Sequence, residues 1–230
     1  MKFPYQRICP RWRTAVVFVF GTILSASLSA RADLISLASD ANAIPEWRDS
    51  AAFQATGLTK VLDGRIEYAV YLPGQFQQSF PSADISADGN FVYAYQVFNT
   101  PSTDTIRTLT VGLDAAALPV FCGWLDQNQN PNNPDGTAPS SAIFTEPSPP
   151  TSTVWYFNLP RIPSGGRSQI LYFTSPHGPG WQSSTVLGGQ LESWTSTLPS
   201  PVPEPSVLAL LGCAAGGWLL VRWNRFRNSP

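Results

Sequence analysis

From Ile66 to Thr195 the apolar residues recur at intervals of two, not at the three-and-four spacing of a helix, and turn residues interrupt them at short range. Ile66-Glu-Tyr-Ala-Val-Tyr-Leu72 sets Ile66, Tyr68, Val70 and Leu72 on one face and stops at Pro73-Gly74, a turn pair. After a second turn signal at Asp88-Gly89-Asn90, the run Phe91 to Phe98 is apolar on both faces and rich in aromatic and β-branched residues, which predicts a central strand. Thr105 to Leu113 follows with Leu109, Val111 and Leu113 in phase. Further strands are predicted within Leu118 to Leu125, Thr153 to Asn158, Gln169 to Thr174 and Gln190 to Thr195. Asp33 to Lys60 has a mixed pattern and reads as an irregular N-terminal segment, tucked against the domain by Trp47 and Phe53.

Short strands, frequent turn signals and 22 prolines predict an all-β fold, an antiparallel β-sandwich. Two connections stand out. Asp126 to Thr137 is rich in Asn, Gln and Pro, and Glu146-Pro-Ser-Pro-Pro-Thr-Ser152 is polyproline-like; both are expected on the surface.

The two ends of the chain follow other rules. Lys2, Arg7, Arg11 and Arg13 precede an apolar stretch from Thr14 to Ser29, and Ala30-Arg31-Ala32 has the small-x-small pattern of a signal-peptidase site. Residues 1–32 therefore read as a secretory signal peptide, with Asp33 as the expected mature N-terminus. At the other end, Pro203 and Pro205 hold Val202-Pro203-Glu204-Pro205-Ser206 extended. The uncharged run Val207 to Val221 then spans about 23 Å as a helix, enough to cross a locally thinned bilayer, and Arg222, Arg225 and Arg227 stop it on the cytoplasmic side. The expected organisation is thus a signal peptide (1–32), a sandwich ectodomain (33–198), a proline-rich linker (199–206) that holds the domain off the membrane, a single transmembrane helix (207–221) and a basic tail (222–230).

An extended Val202-Pro203-Glu204-Pro205-Ser206, an apolar helix and a basic tail in this order resemble the PEP-CTERM sorting signal of bacterial envelope proteins. The resemblance implies processing near Pro203-Glu204-Pro205 by an exosortase, a membrane-embedded cysteine enzyme, with Val202 to Ser206 as substrate residues and no catalytic residue in this chain. It also implies a setting of exopolysaccharide production. Phe91 to Asn99 together with Ile170 to Pro179 is similar to what recurs in ectodomains carrying such a signal, which implies an exported, displayed sandwich. The expected partners are the Sec machinery, signal peptidase, the exosortase-type enzyme, the membrane and an exopolysaccharide. The expected location is the inner membrane before processing, with the domain outside the cytoplasm, and the envelope or extracellular space afterwards.

Charge narrows the picture. Between Asp33 and Pro201 there are 14 Asp and Glu against 6 Lys and Arg, a net of −8 that the basic flanks mask in the chain total of −1. Such a surface argues against nucleic-acid binding, which needs cations to displace counterions. The three cysteines fall one each in the signal (Cys9), the ectodomain (Cys122) and the apolar run (Cys213), so no disulfide can form within the mature domain and its fold must rest on its core.

Candidate chemistry is sparse. His177, the chain's one histidine, lies in the turn-rich Ser175-Pro-His-Gly-Pro-Gly180 without a nucleophile elbow and reads as a loop residue packing on Trp181. One His and one ectodomain Cys cannot fill a zinc site. Asp126, Asn128 and Asn130 match the first three positions of a calcium loop, but Pro131 stands where glycine is needed and Thr137 where a bidentate Glu is needed. Asp63, Asp88 and Asp135 each precede a glycine and read as turn residues. No cofactor is expected, and no enzyme. Two other readings are weighed: a carbohydrate-binding module stacking sugars on Trp124, Trp155 or Trp181, and a glycoside hydrolase, which needs two facing acids in a cleft.

Overall fold

The computed structural model describes residues 36–203 except 84, 86–88, 103, 115, 132 and 146–148. The expected signal peptide with Ala30, Ala32 and Asp33, the residues Glu204 to Ser206, the helix 207–221 and the tail with Arg222, Arg225 and Arg227 lie outside them, as does Asp88. Among the described residues no helix is long and apolar enough to cross a membrane.

Ten strands build the fold: β1 (Arg48–Thr56), β2 (Val61–Tyr71), β3 (Phe91–Asn99), β4 (Ile106–Gly112), β5 (Phe121–Trp124), β6 (Ser141–Phe144), β7 (Ser152–Tyr156), β8 (Leu171–Ser175), β9 (Pro179–Gly188) and β10 (Ser193–Pro201). They form two antiparallel five-stranded sheets in the orders β1-β2-β3-β8-β5 and β10-β9-β4-β7-β6. The all-β expectation holds. One core joins the inner faces: Ile66, Tyr93, Tyr95 and Phe173 from the first sheet meet Leu109, Val111, Trp155 and Val186 from the second. Trp155 is fully buried, stands 5.9 Å from Tyr95 and 6.3 Å from Phe173 between ring centroids, and donates its Nε1–H to the Gly123 carbonyl at 2.9 Å. A large ring in a core must satisfy its polar atom in this way.

The two-faced apolar pattern of Phe91 to Phe98 has its cause in the strand order. As β3 is the middle strand of its sheet, Tyr93, Tyr95 and Val97 face the shared core. Val92 and Ala94 face outward into a second cluster, under Leu37, the short helix α1 (Phe76–Ser79) and Phe80. The two stretches singled out in the sequence, around Phe91 and around Ile170, contribute the adjacent strands β3 and β8, paired from Phe91 with Ser175 to Tyr95 with Leu171.

Several expectations are corrected. The N-terminal segment is not irregular throughout: residues 48–56 form β1, paired with β2 along its whole length. Its inward face is Ala51, Phe53 and Ala55, and a strand whose buried side is mostly alanine has little hydrophobic contrast to read. Polar β9 and four-residue β6 are hidden for the same reason. Asp63 and Gly64 sit inside β2, not in a turn; a side chain on Gly64 would run into the Phe53 ring and the Phe98 carbonyl. The Asp126 to Thr137 connection is not wholly on the surface. Asn133 is fully buried, donates to the Ser168 carbonyl at 3.2 Å and accepts from Arg167 Nε at 2.5 Å. Finally, β10 starts at Ser193 after a turn and runs on to Pro201, so residues 199–201 belong to the sandwich.

Candidate functional site

The residues expected to carry the sorting signal start where β10 ends. Proline in a strand forfeits a ladder bond unless its missing N–H points away from the neighbour. Pro199 and Pro201 meet that condition because β10 is an edge strand and the two lie opposite Trp181 and Pro179, whereas the pairs of the other parity make the bonds. Val202, of that other parity, donates its N–H to the Gly178 carbonyl at 2.9 Å. The outward carbonyl of Pro199 accepts the Tyr95 hydroxyl, and Ser200 Oγ donates to the Gly112 carbonyl at 2.6 Å. Gly180 leaves room for the Val202 side chain, which any Cβ there would strike. Val202 and Pro203 are half-buried. The first two residues of the motif are therefore docked on the domain, and the described part of the expected linker provides no stand-off.

The loop beneath Val202 is held from the other side as well. Ser175 Oγ donates to the Ala117 carbonyl at 2.5 Å and accepts the His177 N–H at 3.2 Å, and the His177 carbonyl accepts the Tyr93 hydroxyl at 2.7 Å. Burial pushes the Tyr93 and Tyr95 hydroxyls well above the usual tyrosine range, so both stay neutral donors. Ser175 is thus spent on backbone, and no carboxylate bonds to His177 among the described contacts. The expected packing partner of His177 has other neighbours: Trp181 lies 5.1 Å from Trp47 and 6.0 Å from Tyr68 between centroids.

Among the described residues, Trp124, Trp155 and Trp181 form no row of exposed rings. Trp155 is buried, Trp124 is half-buried against the core, and Trp181 is half-exposed but tilted 39° against Trp47. At Asp126, Oδ1 accepts the N–H groups of Asn128 and Gln129 at 2.8 and 2.9 Å, which makes it the acceptor of a side-chain-capped turn. Asn130 is buried, and among the described residues no group of three His, Cys, Asp or Glu is placed to hold a metal ion. Cys122 is a half-buried free thiol on β5 whose pKa burial raises to about 11.

At the opposite end the fold assembles a cluster that sequence reasoning missed. Asp104, before β4, and Glu192, before β10, are both buried. Their carboxyl groups meet over Gly188, where a Cβ would run into Asp104 Oδ2 and Glu192 Oε2. Asp104 also accepts the N–H groups of Thr105 at 2.8 Å and Gln190 at 3.1 Å and lies 3.6 Å from Lys60 Nζ. Desolvation raises its pKa, yet the Thr105 N–H, the Glu192 side chain, the Gln190 N–H and the Lys60 ammonium outweigh it and hold the carboxyl below its ordinary range. The two carboxyl groups crowd one point over Gly188, with no cleft between them for the water or sugar that glycoside hydrolysis places between its acids. What this cluster does is tie the β1–β2 hairpin tip to the β9–β10 tip. Its members are 88 positions apart, and only the pairing of β4 with β9 brings them together. Comparison with models of known protein families, with characterised proteins and with solved structures gives no match for this chain.

Proposed function

We propose that this chain is an exported envelope or extracellular-matrix protein with a structural or interaction role and no catalysis of its own. It is delivered by Sec, trimmed by signal peptidase, held in the inner membrane by Val207 to Val221, and processed at Pro203-Glu204-Pro205 by an exosortase-type enzyme. The observation that carries this reading is where the sandwich hands over to the tail: β10 ends at Pro201, and the extended motif, apolar run and three arginines follow at once. The aromatic core, closed by rings that are buried or stacked on each other, supports a displayed structural domain over a sugar-stacking module. An exopolysaccharide partner remains part of the reading through the resemblance of the tail alone.

The test is the intact mass of the native protein in wild type and in Glu204→Ala. Processing predicts a wild-type species that starts at Asp33 and ends near the motif, and a Glu204→Ala precursor that accumulates in the membrane fraction with its fold unchanged. Identical full-length species in both would reduce the tail to a plain anchor. Replacing Arg222, Arg225 and Arg227 together disturbs topology under either reading and is the control.

A further inference from the structure

We propose that the free edge of β1 is a self-association surface, on which the β1 of a second copy pairs antiparallel and joins the two first sheets into one. β1 is the outer strand of its sheet, bonded to β2 on one side only. Which of its backbone groups point outward follows from the alternation of bonded and non-bonded pairs in an antiparallel ladder. At the hairpin tip Gly57 N–H bonds the Lys60 carbonyl at 2.8 Å, so, counting back along the register, Ala55, Phe53, Ala51 and Asp49 make the bonds to β2. The far side of β2 agrees. Thr100 N–H bonds the Asp63 carbonyl at 3.1 Å, which turns the odd-numbered residues of β2 toward β3 and its even-numbered ones toward β1. The N–H and carbonyl groups of Arg48, Ser50, Ala52, Gln54 and Thr56 therefore face away from the sheet. Ser50 N–H is taken by Asp49 Oδ1 at 2.7 Å, and the described contacts give the outward backbone groups of Ala52, Gln54 and Thr56 no partner.

An open strand edge is a template for another strand, and proteins blunt such edges with short strands, prolines or charges. Among the described strands the other three edges are blunted: β5 and β6 are four residues long, and β10 carries Pro199 and Pro201 at two of its outward-facing positions. β1 has none of these devices along most of its length. It is nine residues long, holds no proline or lysine, and from Ser50 to Thr59 the chain has no charge. Ser50, Ala52, Gln54 and Thr56 are exposed and carry small or uncharged side chains that let a second strand approach.

The neutrality of the edge selects a second copy as the occupant. In twofold pairing a charge readily faces its own kind, and like charges opposite each other destabilise a sheet. A twofold axis at Ala52 overlaps the whole strand, sets Ser50 against Gln54 and Arg48 against Thr56, and brings no charge against its like. A partner chosen for the net charge of −8 of the domain would be basic, and this edge offers it nothing. The repulsion between two such domains is screened beyond about 8 Å at about 0.15 M salt, which leaves a neutral seam free to close. A seam about 30 Å long and about 10 Å deep covers roughly 300 Å², well short of the about 800 Å² per partner of a stable complex. The dimer is therefore a weak one that forms at high concentration.

Hydrogen exchange of the full chain in dodecyl maltoside, read at single amides at about 5 and about 500 µM with sedimentation of the same samples, tests this. The Ala52 and Gln54 amides are expected to exchange at least about tenfold more slowly at the higher concentration, where the dimer sediments, while the Phe53 amide, already bonded to β2, changes by less than about twofold. Ala52→Pro gives up no ladder bond in the monomer, because the N–H it removes faces outward. Ala52→Lys sets two ammonium groups face to face at the axis and serves where the proline variant does not fold. A variant that melts as the natural chain does is expected to stay monomeric at about 500 µM. A natural chain that is monomeric at that concentration, with fast Ala52 and Gln54 amides, overturns the proposal. So does a dimer that persists in the folded variants, which another surface, such as the apolar run 207–221, would hold. Protection of Ala52 and Gln54 that is equal at both concentrations assigns the edge to another segment of the same chain, and also overturns it.

Discussion

At the scale of single residues, the energetics concentrate where polar atoms are buried with partners. Asp104 is the clearest case. Four groups favour its ionised form over the cost of burial, so its folded pKa is depressed. A depressed carboxyl contributes stability that is complete above the unfolded value near 3.8 and is lost as pH falls through the lower folded one. Asp104→Asn is therefore expected to cost about 1.5 to 3 kcal/mol at pH 7, the range for charge-assisted hydrogen bonds, and clearly less at about pH 2. Urea unfolding at both pH values checks this; an equal loss at each would mean that shape and not charge is what matters at position 104. No motif in the sequence points to Asp104 or Glu192. Each stands with no second acid within five positions, and their meaning arises from a contact across 88 positions.

Elements were legible in proportion to their hydrophobic contrast. β2, β3, β4 and β8 carry large apolar side chains at alternate positions, and β3 and β8 carry them on both faces because the 36–47 and 76–85 segments cover their sheet. β1 and β9 are longer than β8 but each buries one large apolar side chain, Phe53 and Val186, among alanine, glycine and serine, so pairing and not pattern places them. The prolines at 199 and 201 misled in a different way. They read as a linker, yet an edge strand tolerates them at alternate positions whose N–H would face away from the ladder. The docking of Val202 follows from the same register. Gly180→Val is expected to push the Val202 side chain off β9, speed amide exchange at Val202 by about tenfold or more, and cost about 1 to 2 kcal/mol. Amide exchange at Val202 by NMR, with Leu198 as an internal reference, reads the outcome; unchanged protection at Val202 would show that its contact with Gly180 does not hold it.

At the scale of the whole molecule, the stability of the described domain rests on its shared core, with no disulfide among the described residues. Cys122 is the free thiol of the described domain, half-buried and with its pKa raised, so it is poorly reactive. The melting temperature of the monomeric domain is expected to be the same with and without reductant; a large shift by calorimetry would reveal an intermolecular disulfide. The sequence by itself determined the all-β class, the central place of Phe91 to Phe98 and the want of a disulfide framework, and it carries the order of basic, apolar and proline-rich stretches on which the proposed export and sorting rest. These depend on side-chain period, residue chemistry and cysteine count, which are local or additive properties. Only the tertiary structure decided that Pro199 to Pro201 close a strand, that Asn133 is buried and that Asp104 meets Glu192. Those facts depend on which strands pair and in what register, and pairing is settled by packing between residues far apart in the chain, a quantity that no local window contains.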